Sequence, residues 1–306
     1  MSNISAFNAS SLFKHSLRAL PFLAFMNAAH AETVHFPGLG TSINQQPQNE
    51  ETIEYVDLHT AFVIDDSGSV DMLEKQAMMR GIAEVLLRGI DSERLDLDSL
   101  NESQRLFLEA VNDQRDVAIL NRYSSYAISI VFFGTGSCST GTFIMNSPED
   151  AFAVISDILW DPVTETIPST CDRGGSGTQM MPALREVNRI FANESEQGFI
   201  AISRSVVVLG DESPSDAHEV SAYSQTLSSE YGATIYGVPI TDTDDMQADN
   251  DSLTSFYRDH VATPNGLHYT DAYGGQYEVR AGASMPANNF LEVAPAVALA
   301  LDLGAN

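Results

Sequence analysis

Three segments of the chain place oxygen ligands where a hard cation could be held. The first is Asp65-Asp66-Ser67-Gly68-Ser69, an Asp-x-Ser-x-Ser pattern that sets one carboxylate and two hydroxyls on a tight turn. Such donors suit Mg²⁺ or Ca²⁺, and Mg²⁺ keeps part of its water shell and takes only one or two direct carboxylates. The same pentapeptide also reads as a Ser/Asp-rich helix N-cap, and alone it does not decide between the two. The second segment is Gly174-Gly175-Ser176-Gly177-Thr178, ahead of a helical pattern carrying Ala183-Leu184. The third is Val206-Val207-Val208-Leu209-Gly210-Asp211, an apolar run that ends in an acid.

The surrounding periodicity says what must carry these segments. Residues 56–64 alternate and then become wholly apolar, as a strand entering a buried sheet does, and stop at Asp65. Met72, Met79, Ile82, Ala83 and Leu86 then recur at helical spacing as far as Arg88, a stripe that reads as core. Residues 128–133 form a second strand, 134–141 a Gly/Ser/Thr turn and 142–145 its hairpin partner. Ser147-Pro148-Glu149-Asp150 opens a helix to about Leu159 with Ser as N-cap and Pro at the first helical position. Further elements are a helix over 180–191, a strand over 205–209, a helix over 216–231 and a strand over 234–240. A helix at 251–260, a short strand at 266–269 and a closing helix over 290–303 complete the pattern, the last with Leu291, Val293, Ala294, Val297 and Leu301 on one side. Strands alternating with helices predict a doubly wound, mostly parallel α/β sheet with helices on both faces and one antiparallel edge strand. Ligands of such sheets bind past the carboxyl ends of the strands, here the loops after Ile64, Phe133 and Leu209. Residues 89–122 read as a helical insertion, and no internal repeat is visible.

Composition narrows the function classes. In 306 residues, 15 Lys+Arg stand against 42 Asp+Glu, a net charge of −27, which disfavours nucleic acid and anionic membranes as ligands. With 43% hydrophobic residues the chain can still bury a core. Residues 1–31 read as a secretory signal: Lys14 and Arg18, an apolar run from Ala19 to Met26, and an Ala-x-Ala site at Ala29-His30-Ala31. That run is too short to span a bilayer, which takes about 20 residues, so no membrane insertion is expected. The product is then exported, either periplasmic or secreted. Residues 32–54 are polar and aperiodic, a linker to a domain at 55–306. In an oxidising compartment the two cysteines, Cys138 and Cys171, are expected to form a disulfide bracing the loop face, since neither shows metal-ligand spacing.

Asp-x-Ser-x-Ser, then a Gly-Thr loop before a helix, then an apolar strand ending in Asp, in that order, resembles the metal-ion-dependent adhesion site of a von Willebrand factor type A (vWA) domain. The resemblance covers about residues 54–303. It is similar in particular to an exported bacterial subgroup of unknown function, through residues 65–71, Gly177-Thr178, Gly210-Asp211, Gly237-Val238-Pro239-Ile240 and Tyr257-Arg258-Asp259. It implies that Asp65, Ser67, Ser69, Thr178 and Asp211 hold Mg²⁺, with Ca²⁺ or Mn²⁺ as alternatives, some of them through water. Ser176 competes with Thr178, and the spacing of Thr178 to Ala183-Leu184 matches the family's helix. Asp66 and Glu212 depart from the family pattern and read either as extra cation ligands or as solvated acids. The function implied is a binding module in which a protein partner's carboxylate completes the cation's shell.

A metal-dependent phosphohydrolase of the haloacid dehalogenase type is the rival class, because residues 62–65 resemble its nucleophile strand and Gly210-Asp211 with Asp216 its metal loop. That chemistry needs a carboxylate two residues after the nucleophile, where this chain has Ser67, which has no pKa suited to the role. No Gly-x-Ser-x-Gly elbow and no His-Glu-x-x-His pair occurs, so His35, His59, His218, His260 and His268 read as structural or surface residues.

Overall fold

A strand covered on both faces can carry no exposed side, so each of its side chains must be apolar or internally satisfied. That condition is met in turn by the central strands of the computed structural model, which describes residues 53–87, 125–161, 163–164, 167, 177–241 and 247–305. The expected signal segment, the insertion and all but the last two residues of the expected linker lie outside the described residues.

Strand β1 (Glu54–Asp65) leads to helix α1 (Met72–Leu87). Strands β2 (Tyr126–Phe133) and β3 (Ser137–Met145) form a hairpin, followed by α2 (Pro148–Ile158) and α3 (Met181–Ala192). Then come β4 (Phe199–Gly210), α4 (Ala217–Tyr231), β5 (Thr234–Pro239), α5 (Gln247–Phe256) and a π-turn at Tyr257–Val261. A small hairpin, β6 (His268–Thr270) with β7 (Gln276–Glu278), precedes the closing α6 (Val293–Ala305). The sheet order is β3-β2-β1-β4-β5, parallel throughout except for β3 on β2. This is the doubly wound, mostly parallel α/β fold with one antiparallel edge strand expected from the sequence.

Strict alternation across the pleat divides the core in two. Phe62, Ile64, Ile130, Phe132, Val207 and Leu209 face α1, α2 and α6, whereas Ala61, Val63, Val131, Phe133, Val206 and Val208 face α3, α4 and the π-turn. Ser147 caps α2 as expected, its side chain accepting from the Asp150 N–H at 3.0 Å with Pro148 in the first turn.

Three expectations are corrected. Met72 is 59% exposed, so the buried stripe of α1 begins at Met78 instead. Leu291, at 86% exposed, lies in a single 3-10 turn ahead of α6, and the buried face starts at Val293. The short strand expected at 266–269 is present as β6, which pairs with β7 in a separate two-stranded ribbon. The turn after β2 spans only 134–136, so Cys138 sits within β3 opposite Phe132. Its expected partner Cys171 lies outside the described residues.

At the amino end of the sheet a buried polar network joins four strands. His59 has one ring nitrogen 2.8 Å from Glu194 Oε1 and the other 2.8 Å from Ser129 Oγ, which in turn bonds Thr142. Arg204 donates to both oxygens of Glu194, and the Ala201 N–H adds a fourth donor at 3.1 Å. Burial pushes His59 below its ordinary pKa despite Glu194, so the ring is neutral. The Ser–His–Glu order copies the bonding of a nucleophilic triad. With His59 and Ser129 fully buried on central strands, no substrate can reach it, and the network is structural.

Replacing Glu194 by Ala would leave the largely buried Arg204 guanidinium without its carboxylate, with only the Tyr231 carbonyl at 3.4 Å, and His59 without its acceptor. Breaking a buried pair in this way costs about 3–5 kcal/mol. Urea unfolding should therefore show a lower midpoint at unchanged slope, and an unaltered midpoint would contradict the role.

Candidate metal centre

The chain runs from β1 to β2 on one side and from β4 to β5 on the other, so the crevice between β1 and β4 is the topological switch point of the sheet. Asp65 ends β1 and Asp211 follows the end of β4, which places the first and third ligand-bearing segments side by side at the carboxyl edge.

Four of the five expected residues form one connected chain. The Ser67 N–H donates to Asp65 Oδ1 at 2.9 Å, Ser67 and Ser69 share a hydroxyl–hydroxyl bond of 2.8 Å, and Ser69 donates to Asp211 Oδ1 at 3.2 Å. The fifth, Thr178, donates to Glu212, the neighbour of Asp211. Ser176 lies outside the described residues. Asp71 answers the alternative N-cap reading. Its Oδ1 accepts from the Leu73 and Glu74 N–H groups at 2.8 and 2.9 Å, and Glu74 accepts from the Asp71 N–H, a reciprocal capping box. Ser67 and Ser69 are therefore not needed to cap α1.

The two extra acids have separate fates. Asp66 is buried and ion-paired with Lys75 of α1, so it is neither a solvated acid nor a group directed at the site. Glu212 is half-buried and bonded to Thr178.

Thr178 is gripped from both sides. On one flank the Gly177 N–H donates to Thr135 Oγ1 at 2.9 Å and the Gln179 N–H to the Gly134 carbonyl at 2.8 Å, tying the loop to the turn after β2. On the other, the backbone N–H and hydroxyl of Ser215 both donate to the Thr178 carbonyl. Asp216 accepts from the Met180 and Met181 N–H groups at 3.0 and 2.8 Å, capping α3 from across the crevice. Residue spacing alone gives no sign of this clamp, since the cap of α3 comes from a loop some 35 positions away along the chain.

The electrostatics are those of acids brought together in one crevice. Burial raises Asp65 to about 7, against the lowering effect of its hydrogen bonds with Ser67, and the charges of Asp211 and Glu212 add to the rise. Burial likewise raises Asp211 to about 6, offset in part by Ser69 and reinforced by Glu212 and Glu74. No Lys or Arg pairs with Asp65 among the described residues, and its Oδ2 is buried with no hydrogen-bond partner. An orphaned, fully buried carboxylate oxygen beside hydroxyl donors fits a hard divalent cation. Among the described residues no group of three or more His, Cys, Asp or Glu is arranged to hold a metal, so any cation here would rest on a mixed set of carboxylates and hydroxyls. No described helix is long and apolar enough to cross a membrane.

No family model matches the chain, and no curated protein matches it. Among solved structures, two crystal forms of proximal thread matrix protein 1 from the mussel byssus superpose at 15% and 16% identity. Their TM-scores are 0.44 and 0.46, over 83% of this chain. The chain spans about half the length of that protein, 49% and 48% in the two forms. Manganese-loaded TRAP protein of Plasmodium vivax superposes at 13% identity and a TM-score of 0.35, over 70% of this chain and 68% of that one. The fold assignment rests on strand order and register.

Asp65 and Asp211 bind protons more tightly in the native state than the ordinary aspartate value near 3.8 allows. At these two groups native protein thus holds more protons than unfolded protein between about pH 4 and 7, and their contribution to stability falls as pH rises across that window. Asp65→Asn keeps the acceptor for Ser67 and removes the charge. In chelator its melting temperature should exceed that of wild type increasingly from pH 4 to 7, whereas parallel curves would contradict the strained carboxylate.

Proposed function

We propose that residues 55–306 form an exported vWA-like binding module whose carboxyl edge holds one divalent cation and, through it, a carboxylate of a protein partner. The observation that carries this reading is the connected donor chain Asp65–Ser67–Ser69–Asp211 around an unpartnered, buried Asp65 oxygen. Asp65, Ser67, Ser69, Thr178 and Asp211 would hold Mg²⁺, or Ca²⁺ or Mn²⁺ in its place. The bound cation supplies a local positive field, which is what lets a protein of net charge −27 accept an acidic ligand. The chain's own residues do the rest. Asp65 and Asp211 bring charge, Ser67 and Ser69 link them, and the Ser215–Asp216 clamp keeps Thr178 at the rim. Export to the periplasm or beyond, and the Cys138–Cys171 bridge, belong to the same reading.

The phosphohydrolase reading is weaker. Ser67 occupies the position of its acid/base, and both oxygens of Asp216, which that reading needs at a metal, are engaged by the N-terminus of α3.

Calorimetry on the mature protein should find one site for Mg²⁺ or Mn²⁺, abolished in Asp65→Ala and weakened in Asp211→Asn. Capture of a protein partner should then require the cation and be lost with chelator. Absence of any cation site, or hydrolysis of a generic phosphate ester that Asp65→Ala removes, would overturn the module reading.

A further inference from the structure

Two glycines interrupt the apolar strands beside the site. At Gly237 of β5 a Cβ would lie 2.7 Å from the ring of Tyr257, and at Gly210 of β4 it would lie 2.5 Å from the Tyr257 hydroxyl and 2.9 Å from Asp65 Oδ2. The missing side chains open a slot through which the ring of Tyr257 reaches the back of Asp65. Tyr257 opens the π-turn, where the Ala262 N–H reaches back to its carbonyl at 2.9 Å, and its ring stands edge-on to Phe256 at 5.7 Å. Single π-turns of this kind re-aim a side chain and recur at functional sites.

The phenol is fully buried, and its hydroxyl, like Asp65 Oδ2, has no hydrogen-bond partner. Two buried polar atoms left unpaired against the same glycine are costly separately and complementary together: one is a donor, the other an acceptor. A phenol is protonated at neutral pH and so is able to donate.

We propose that Tyr257 is a positioning residue for Asp65: its hydroxyl donates to Asp65 Oδ2 when a cation is held there, fixing the carboxylate's orientation from behind. The inference rests on the cation reading of Asp65 and goes beyond it by giving the Tyr257 segment a role. It requires Gly210 and Gly237 to remain without side chains.

Tyr257→Phe keeps the ring and deletes only the hydroxyl. Outer-shell partners of a metal ligand typically govern affinity by about 10–100-fold. Mn²⁺ or Mg²⁺ titrated into this variant by calorimetry should bind at least about tenfold more weakly than in wild type. Its melting temperature in chelator should be equal or higher, because an unpaired buried hydroxyl has been removed. Resonance Raman spectra should show a cation-dependent change in the tyrosine doublet of wild type that is missing from the variant. Equal affinity in Tyr257→Phe and wild type would overturn the role of Tyr257 while leaving the cation site standing. A weaker affinity accompanied by a lower melting temperature in chelator would also overturn it, as the hydroxyl would then be structural. If wild type binds neither ion, the cation reading itself falls and this inference falls with it.

Discussion

The structure turns on one uncompensated group, the carboxylate of Asp65, carried to zero exposure at the end of a central strand. A lone buried carboxylate is expensive unless it is protonated or paired with a cation. The nearest lysine of α1, Lys75, pairs with Asp66 instead, and the groups that share the crevice with Asp65 are Asp211 and Glu212. The loops around it supply hydroxyls and backbone N–H groups but no positive side chain among the described residues. The sheet, buried on both faces and rigid, keeps that charge in place rather than letting it relax toward water.

Everything near the switch point reinforces that placement. Asp71 and Glu74 cap α1, which leaves Ser67 and Ser69 bonded to Asp65 and Asp211 rather than to the helix. Ser215 and Asp216, just past the end of β4, tie down Thr178 and the start of α3, so the second and third ligand segments are one mechanical unit. Far below, the Glu194 cluster joins β1, β2 and β4 at the opposite end of the same strands. The two polar centres differ in kind. Glu194 is matched by Arg204 and by a neutral His59, whereas Asp65 has the Ser67 N–H on Oδ1 but no described cationic side chain and no partner on Oδ2.

Much of this was readable in the residues. The apolar runs at Phe62–Ile64, Ile128–Phe133 and Val206–Leu209 announce a doubly covered sheet, and Ser147-Pro148 announces a helix start that the structure repeats. Asp65, Ser67, Ser69 and Asp211 meet because parallel strands of one sheet end at one edge. Other features depend on contacts that spacing does not encode. Methionines recur through α1 at positions that serve either face, so Met72 was indistinguishable from Met79 until its neighbours were known. The polar start of β4, Ser203-Arg204, hides a strand that extends back to Phe199, because Arg204 is satisfied by Glu194 rather than by water. Asp66 looked like a surface acid or a ligand, and only the packing of α1 brings Lys75 onto it. Gly210 and Gly237 were the visible trace of Tyr257: glycine inside an otherwise apolar strand signals a close approach by another group.

The most direct test of the central claim is an anomalous difference map from crystals of the mature protein grown with Mn²⁺. The account requires one peak at the carboxyl edge of the sheet, within coordinating distance of Asp65 and reached by Ser67, Ser69, Thr178 and Asp211, directly or through water. A fully occupied peak elsewhere, or none in crystals where Asp65 is ordered, would contradict it.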